Sequence, residues 1–96
     1  MKAIVIAQFK IADPESYARY TKRSAPAVAA AGGRYIAAGA PLGFLEGPNS
    51  VDRAAVVEFD SVEAAQAFYR SESYQRARSE RRQGVEARLM LLPGAP

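Results

Sequence analysis

The stretch from residue 3 to residue 11 constrains the chain more than any other. Its odd positions, Ala3, Val5, Ala7, Phe9 and Ile11, are all apolar, and its even positions open with Ile4 and Ile6 before turning polar at Gln8 and Lys10. Successive side chains of a strand point to opposite faces, so this segment reads as a strand covered on both sides over most of its length. The apolar run is too short and too soon interrupted for a secretory leader, and no cleavage-site pattern follows it. No stretch of about 18 apolar residues occurs, so no membrane-spanning helix is expected. The expected compartment is the cytoplasm.

The rest of the chain alternates in the same legible way. Asp13-Pro14-Glu15 is a helix start: Asp13 caps, Pro14 suits the first helical position and Glu15 complements the dipole. Tyr17, Tyr20, Ser24 and Val28 follow at helical spacing, and Pro26 predicts a break or kink near Ser24 and Ala25. Gly32-Gly33 ends the helix. Residues 34–38 and 51–59 read as strands, the latter with Ala54-Ala55-Val56-Val57 apolar on consecutive positions. The segment between them is rich in glycine and proline. Its middle, with Leu42, Phe44 and Leu45, is too apolar for a solvent loop and is expected to pack on something, a second subunit being one candidate. Ser61 caps a second helix with the stripe Val62, Ala65, Phe68 and Tyr69. A further helical segment restarts at Ser71 or Ser73, runs to about residue 83 and stops at Gly84. Residues 85–92 form the last strand, followed by a frayed tail.

Strand, helix, strand, strand, helix, strand is the split β-α-β order of ferredoxin-like α+β domains, with a four-stranded antiparallel sheet. At 96 residues the chain is a single domain, residues 1–96. In this topology the first and third strands are the inner pair, and they are the two read as covered on both faces. Helices cover only one face. The other carries Ile4, Ile6, Ala54, Val56, Met90 and Leu92, an apolar patch that monomers rarely leave bare. The expectation is a homodimer through that face.

Composition narrows the chemistry. The chain has no cysteine, histidine or tryptophan. That removes disulfides, thiolate nucleophiles, the usual general base and the commonest metal ligands. Neither a metal site nor a cofactor is expected, and no phosphate-binding glycine motif is present. The net charge of +3, from 13 Lys and Arg against 10 Asp and Glu, is too small to imply a polyanionic partner. An RNA-recognition module shares this topology but needs stacking aromatics on its central strands. Here the third strand offers alanine and valine, and the first only Phe9, so no nucleic-acid partner is expected.

In this order, Ile4-Val5-Ile6-Ala7, Asp13-Pro14-Glu15 with Tyr17 and Tyr20, Gly32-Gly33-Arg34-Tyr35, Leu45-Glu46-Gly47, Arg53 to Ser61, Ser73-Tyr74-Gln75 and Arg82-Gln83-Gly84 resemble the domain of unknown function numbered 1330. The resemblance covers nearly the whole chain. It implies a dimeric α/β barrel in which two ferredoxin-like sheets face each other. The wider superfamily includes cofactor-free monooxygenases, isomerases and dye-decolourising enzymes as well as regulatory domains. Fold analogy alone does not assign chemistry.

The candidate site residues come from strand parity. Gln8, Lys10, Arg34, Asp52, Glu58, Glu86 and Arg88 share the even-numbered face. If the helices take the odd face, Gln8 and Glu58 look into a dimer cleft. There Glu58 is the candidate base, and Gln8, Arg34 and Arg88 are candidate ligand contacts. The competing reading is an ion pair at a strand end or dimer seam. The tyrosines read first as core or rim residues; Tyr20 is the exception, because the family pattern also places a tyrosine there and a phenol can donate to an oxyanion. Residues 70–82 carry five arginines against two glutamates, which reads as a solvated helix face or an anion patch. Arg82 stands apart through the family-like Arg-Gln-Gly motif and is a candidate anchor or ligand contact. Three functions fit: a binder of a small polar or aromatic metabolite in a cleft between sheet and partner, a cofactor-independent monooxygenase or isomerase, and a structural dimerisation domain.

Overall fold

The computed structural model describes residues 1–81 and 83–95. Its elements are β1 (Ala3–Ile11), α1 (Pro14–Ala30), β2 (Arg34–Gly39), β3 (Arg53–Phe59), α2 (Val62–Arg70), α3 (Glu72–Glu80) and β4 (Val85–Pro93). The strands form one antiparallel sheet in the order β2-β3-β1-β4, so β1 and β3 are the inner pair. This is the ferredoxin-like α+β arrangement.

Each helix begins where its cap residue directs. Asp13 accepts hydrogen bonds from the backbone N–H of Glu15 and Ser16, and Ser61 accepts from Ala64. Ser71 closes one helix and opens the next: its hydroxyl donates to the Phe68 carbonyl at 2.7 Å and accepts from the Tyr74 N–H at 3.2 Å. Such caps satisfy backbone groups that a helix end leaves without partners. The last helix stops at Glu80, earlier than the run to residue 83 that the sequence suggests. Gly84 then turns with φ +75°, and its carbonyl accepts from the N–H groups of Ala12 and Asp13 at 2.8 and 2.9 Å. A Cβ there would sit 2.6 Å from that of Asp13. Glycine therefore lets the start of β4 lie against the start of α1.

The expected break at Pro26 does not occur; α1 runs unbroken through it. Pro26 and Lys22, whose carbonyl loses its helical partner, both lie on the exposed side, where water can take that carbonyl. On the other side Tyr20, Ser24, Ala27 and Val28 stay buried and hold the helix to the core.

The register sorts the strand residues into two faces. Ala3, Val5, Ala7 and Phe9 stand opposite Phe59, Val57, Ala55 and Arg53, and all of these belong to the helix side. Phe59 and Tyr74 are completely buried there, with Phe68 between them at ring separations of 5.1 and 4.7 Å. The opposite side carries Ile4, Ile6, Ala54, Val56, Met90 and Leu92, with no helix over it. In the loop over 40–52 the side chains of Leu42 and Leu45 are fully exposed and do not pack on their own chain. No helix of the described residues is long and apolar enough to cross a membrane.

Candidate functional site between helix α1 and the sheet

α1 packs chiefly on α3 and stands away from the strands. Large side chains bridge the gap: Phe9 from β1 meets Tyr17 and Tyr20 from α1 at ring separations of 5.2 and 5.5 Å. Beyond them the layers remain apart and leave a half-open cavity of about 830 Å³. That is ample for a small-molecule ligand, since such sites run about 300–1,000 Å³. A one-residue bulge between Tyr35 and Ala37 in β2 sets the wall on that side. Tyr35, before the bulge, stands opposite Val57 on the helix side; after it Ala37 falls on the far face and Ala38 comes opposite Ala55 on the helix side, where it lines the cavity.

The walls are mainly aliphatic and aromatic, and the polar groups are mostly hydroxyls, each able to donate one hydrogen. Tyr17, Tyr20, Tyr35, Tyr74, Ser24 and Arg53 all line the cavity. The Tyr20 and Tyr74 hydroxyls lie 3.0 Å apart in the buried interior, and Arg81 donates to the Tyr74 hydroxyl at 3.2 Å. Its guanidinium also lies 4.9 Å from the centre of the Tyr20 ring. One of the two phenolic hydrogens is consumed in the Tyr20–Tyr74 bond. The other is left to donate to an acceptor in the cavity.

Burial pushes the Tyr20 phenol far above its ordinary pKa, the neighbouring Tyr74 adds to the rise, and Arg81 opposes it. Burial raises Tyr17, with Arg53 tempering the rise. It also raises Tyr35, where Tyr17 and Tyr74 add to the effect and Ser24 tempers it. These phenols are therefore neutral donors at physiological pH. Asp52 is the carboxylate among the lining residues, and it serves the backbone: its Oδ2 accepts from the Ile11 N–H at 2.7 Å, while its own N–H donates to the Phe9 carbonyl at 2.8 Å. These bonds pin the start of β3 to β1 and set Arg53 at the cavity's edge. Arg53 has no ion-pair partner among the described residues.

Of the candidate site residues, Tyr20 lies in this cavity; Asp52, grouped by parity with the other face, lines it too, because it precedes β3 and turns back to the Ile11 backbone. Gln8, Arg34, Glu58 and Arg88 lie on the helix-free face, as their parity requires, but in two separate groups. Arg34 is paired across strands with Glu58 and bonds its carboxylate; Lys2 approaches the same carboxylate at 3.8 Å. Glu58 is thus the ion pair at a strand end that was the competing reading. Gln8 stands opposite Arg88, and Lys10 opposite Glu86. These four share a shallow cleft with Ser50 and Val51, of about 330 Å³. The Ile4 end, which holds Glu58, is four residues along β1 from Gln8, or about 13 Å. Arg82 lies outside the described residues. Arg53, Ser24 and Tyr35 were missed in the sequence. The odd parity of Arg53 and Tyr35 and the helical spacing of Ser24 were visible signals, whereas the bulge that brings Ala38 to the cavity wall was not.

Known structures share this architecture. A protein of unknown function from Rhodopseudomonas palustris, RPA0582, is 26% identical with a TM-score of 0.79, over 99% of this chain and 84% of that one. A dimeric ferredoxin-like protein of unknown function from Thermobifida fusca is 21% identical with a TM-score of 0.70, over 96% and 90%. SnoaB, a cofactor-independent oxygenase from Streptomyces nogalater, shares the fold at 10% identity and a TM-score of 0.70, over 99% and 94%. No curated protein is significantly similar. One family model matches residues 2–95, nearly the whole chain: the chain belongs to the family described as Domain of unknown function (DUF1330).

Proposed function

We propose that this protein is a homodimer that binds a small molecule with an aromatic or aliphatic body and a carbonyl or similar acceptor oxygen. The observation that carries this reading is the cavity between α1 and the sheet, with its apolar walls and its surplus of neutral phenolic donors. A ligand with acceptor oxygens satisfies those donors; a purely apolar one leaves them unpaired, which costs roughly 1–3 kcal/mol per group. The binding site in this reading lies on the helix side of the sheet, not between the sheet and its partner. The helix-free apolar face is left for pairing with a second copy, and the dimeric ferredoxin-like relative from Thermobifida fusca supports that use.

Native mass spectrometry of freshly purified protein tests both halves. A dimer carrying a small non-covalent mass is the expected result. An aryl ketone such as 1-acetonaphthone should then bind at least about tenfold more tightly than 1-ethylnaphthalene, which lacks the oxygen. Equal affinities would remove the role of the phenols. Glu58→Gln should leave this binding unchanged, because Glu58 lies on the other face. Turnover of a bound ketone that is lost in Glu58→Gln would instead favour the enzymatic reading, with a proton-abstracting site assembled across the dimer.

A further inference from the structure

We propose a second ligand site, for an organic carboxylate with an apolar tail, in the cleft between α2–α3 and the edge strand β4. The cleft has a volume of about 390 Å³. Its floor is apolar, with Ala65 and Phe68 buried and Leu89 half-buried. Three arginines line it: Arg70 from the last turn of α2, Arg78 from the last turn of α3, and Arg81 just beyond. No aspartate or glutamate is among its lining residues.

The acids on α3 are committed elsewhere. Glu72 pairs with Arg76 one turn on. Glu80 faces α1, where Arg19 and Arg23 approach it at 3.6 and 3.0 Å. Arg70, Arg78 and Arg81 have no ion-pair partner among the described residues. Arg81 gives one nitrogen to Tyr74, and its buried Nε has no hydrogen-bond acceptor. Favourable interaction with the helix dipoles accounts for cations in the last turns of α2 and α3. It does not account for cations from two helices lining one apolar cleft with no counter-charge. Like charges lining one cleft repel one another, and an anion relieves that repulsion. Guanidinium groups suit a carboxylate because their paired donors match its two oxygens. The floor asks for a tail, so an inorganic anion fills only half the site.

This cleft is distinct from the cavity under α1. Val5, Phe68 and Leu89 line both, and form the wall between them. Arg53 lines the larger cavity only, and Arg70 and Arg78 the smaller only.

Octanoate is the probe, with octanol and inorganic phosphate as controls, measured by calorimetry and amide chemical shifts on the intact protein. Octanoate should bind with shifts centred on α2, α3 and β4. Octanol and phosphate should each bind at least tenfold more weakly. The double variant Arg70→Gln, Arg78→Gln should weaken octanoate at least tenfold, whereas Lys22→Gln, which removes a positive charge that lines neither cavity, should not change it. Arg81 is spared because it supports Tyr74. The proposal is overturned if octanoate fails to bind at millimolar concentration, if octanol or phosphate binds equally well, if the double variant binds normally, if Lys22→Gln weakens binding as much, or if Arg53→Gln is the substitution that abolishes binding. The amide spectrum of the double variant should otherwise match the parent's. If the double variant unfolds, Arg78→Gln alone takes its place and should weaken octanoate at least threefold.

Discussion

At the residue scale, the buried hydroxyl pair is the group whose removal is most informative. Tyr20→Phe deletes one hydroxyl, but Tyr74 keeps Arg81 as a partner. The loss should therefore be near that of an ordinary hydrogen bond, about 1 kcal/mol. Tyr74→Phe removes the partner of both Tyr20 and Arg81 and should cost more, about 2–3 kcal/mol. Chemical denaturation of the two variants checks the order; equal losses would mean that Arg81 does not support the pair. Asp13 provides a pH test. The hydroxyl and backbone N–H of Ser16 hold its carboxyl below the usual aspartate range. A lowered folded-state value means its contribution is complete above the unfolded pKa, near 4, and is lost as pH falls through the folded value. Asp13→Asn keeps a capping oxygen without titrating. Between pH 6 and pH 2.5 its stability should fall less than the parent's, as read from urea midpoints.

At the element scale, α1 holds a cost that the rest of the fold tolerates. Pro26 removes a helical hydrogen bond at an exposed position while the helix continues on both sides. Proline in a helix interior is about 3 kcal/mol worse than alanine, offset in part by about 0.4–1 kcal/mol of lost unfolded-state entropy. Pro26→Ala should therefore raise stability by about 1–3 kcal/mol in a thermal melt; a fall would show that the proline ring makes a contact the helix needs. Elements were mostly legible before the structure because their signals are local. Asp13-Pro14 and Ser61 mark helix starts by cap chemistry, and the parity of β1 and β3 follows from the pleat. The continuity of α1 was not legible, because local rules stop a helix at proline. The buried stripe of Tyr20, Ser24, Ala27 and Val28 overrides them through contacts with distant strands and helices.

At the scale of the whole molecule, the architecture is two layers thick. Its Cα atoms span 33 × 32 × 15 Å, and one side of the sheet is bare. Met90 and Leu92 are 38% and 42% exposed there, beside Ile6 and Val56. If that face pairs two copies, a charge at its centre should separate them, because an unpaired buried ammonium costs several kcal/mol. Val56→Lys should sediment as a folded monomer at micromolar concentration where the parent is a dimer. A parent that is itself monomeric would remove the pairing, and a Val56→Lys dimer would place it on another surface, the exposed Leu42 and Leu45 of the 40–52 loop being the next to examine.

The amino-acid order by itself determined which residues share a face: the alternation in β1 and β3 put Gln8 and Glu58 on one side and Phe9, Arg53 and Val57 on the other. It also determined the topology, since two strands that are apolar on both faces, in this order, fit the inner positions of one sheet. Only the tertiary structure decided which face holds the large cavity. Parity is a property of neighbouring residues along one strand. The gap beneath α1 depends on how far α3 holds that helix from the sheet, on the bulk of Phe9, Tyr17 and Tyr20, and on one bulge in β2. Those side chains come from elements far apart in the chain, and their packing has no signature in any single segment.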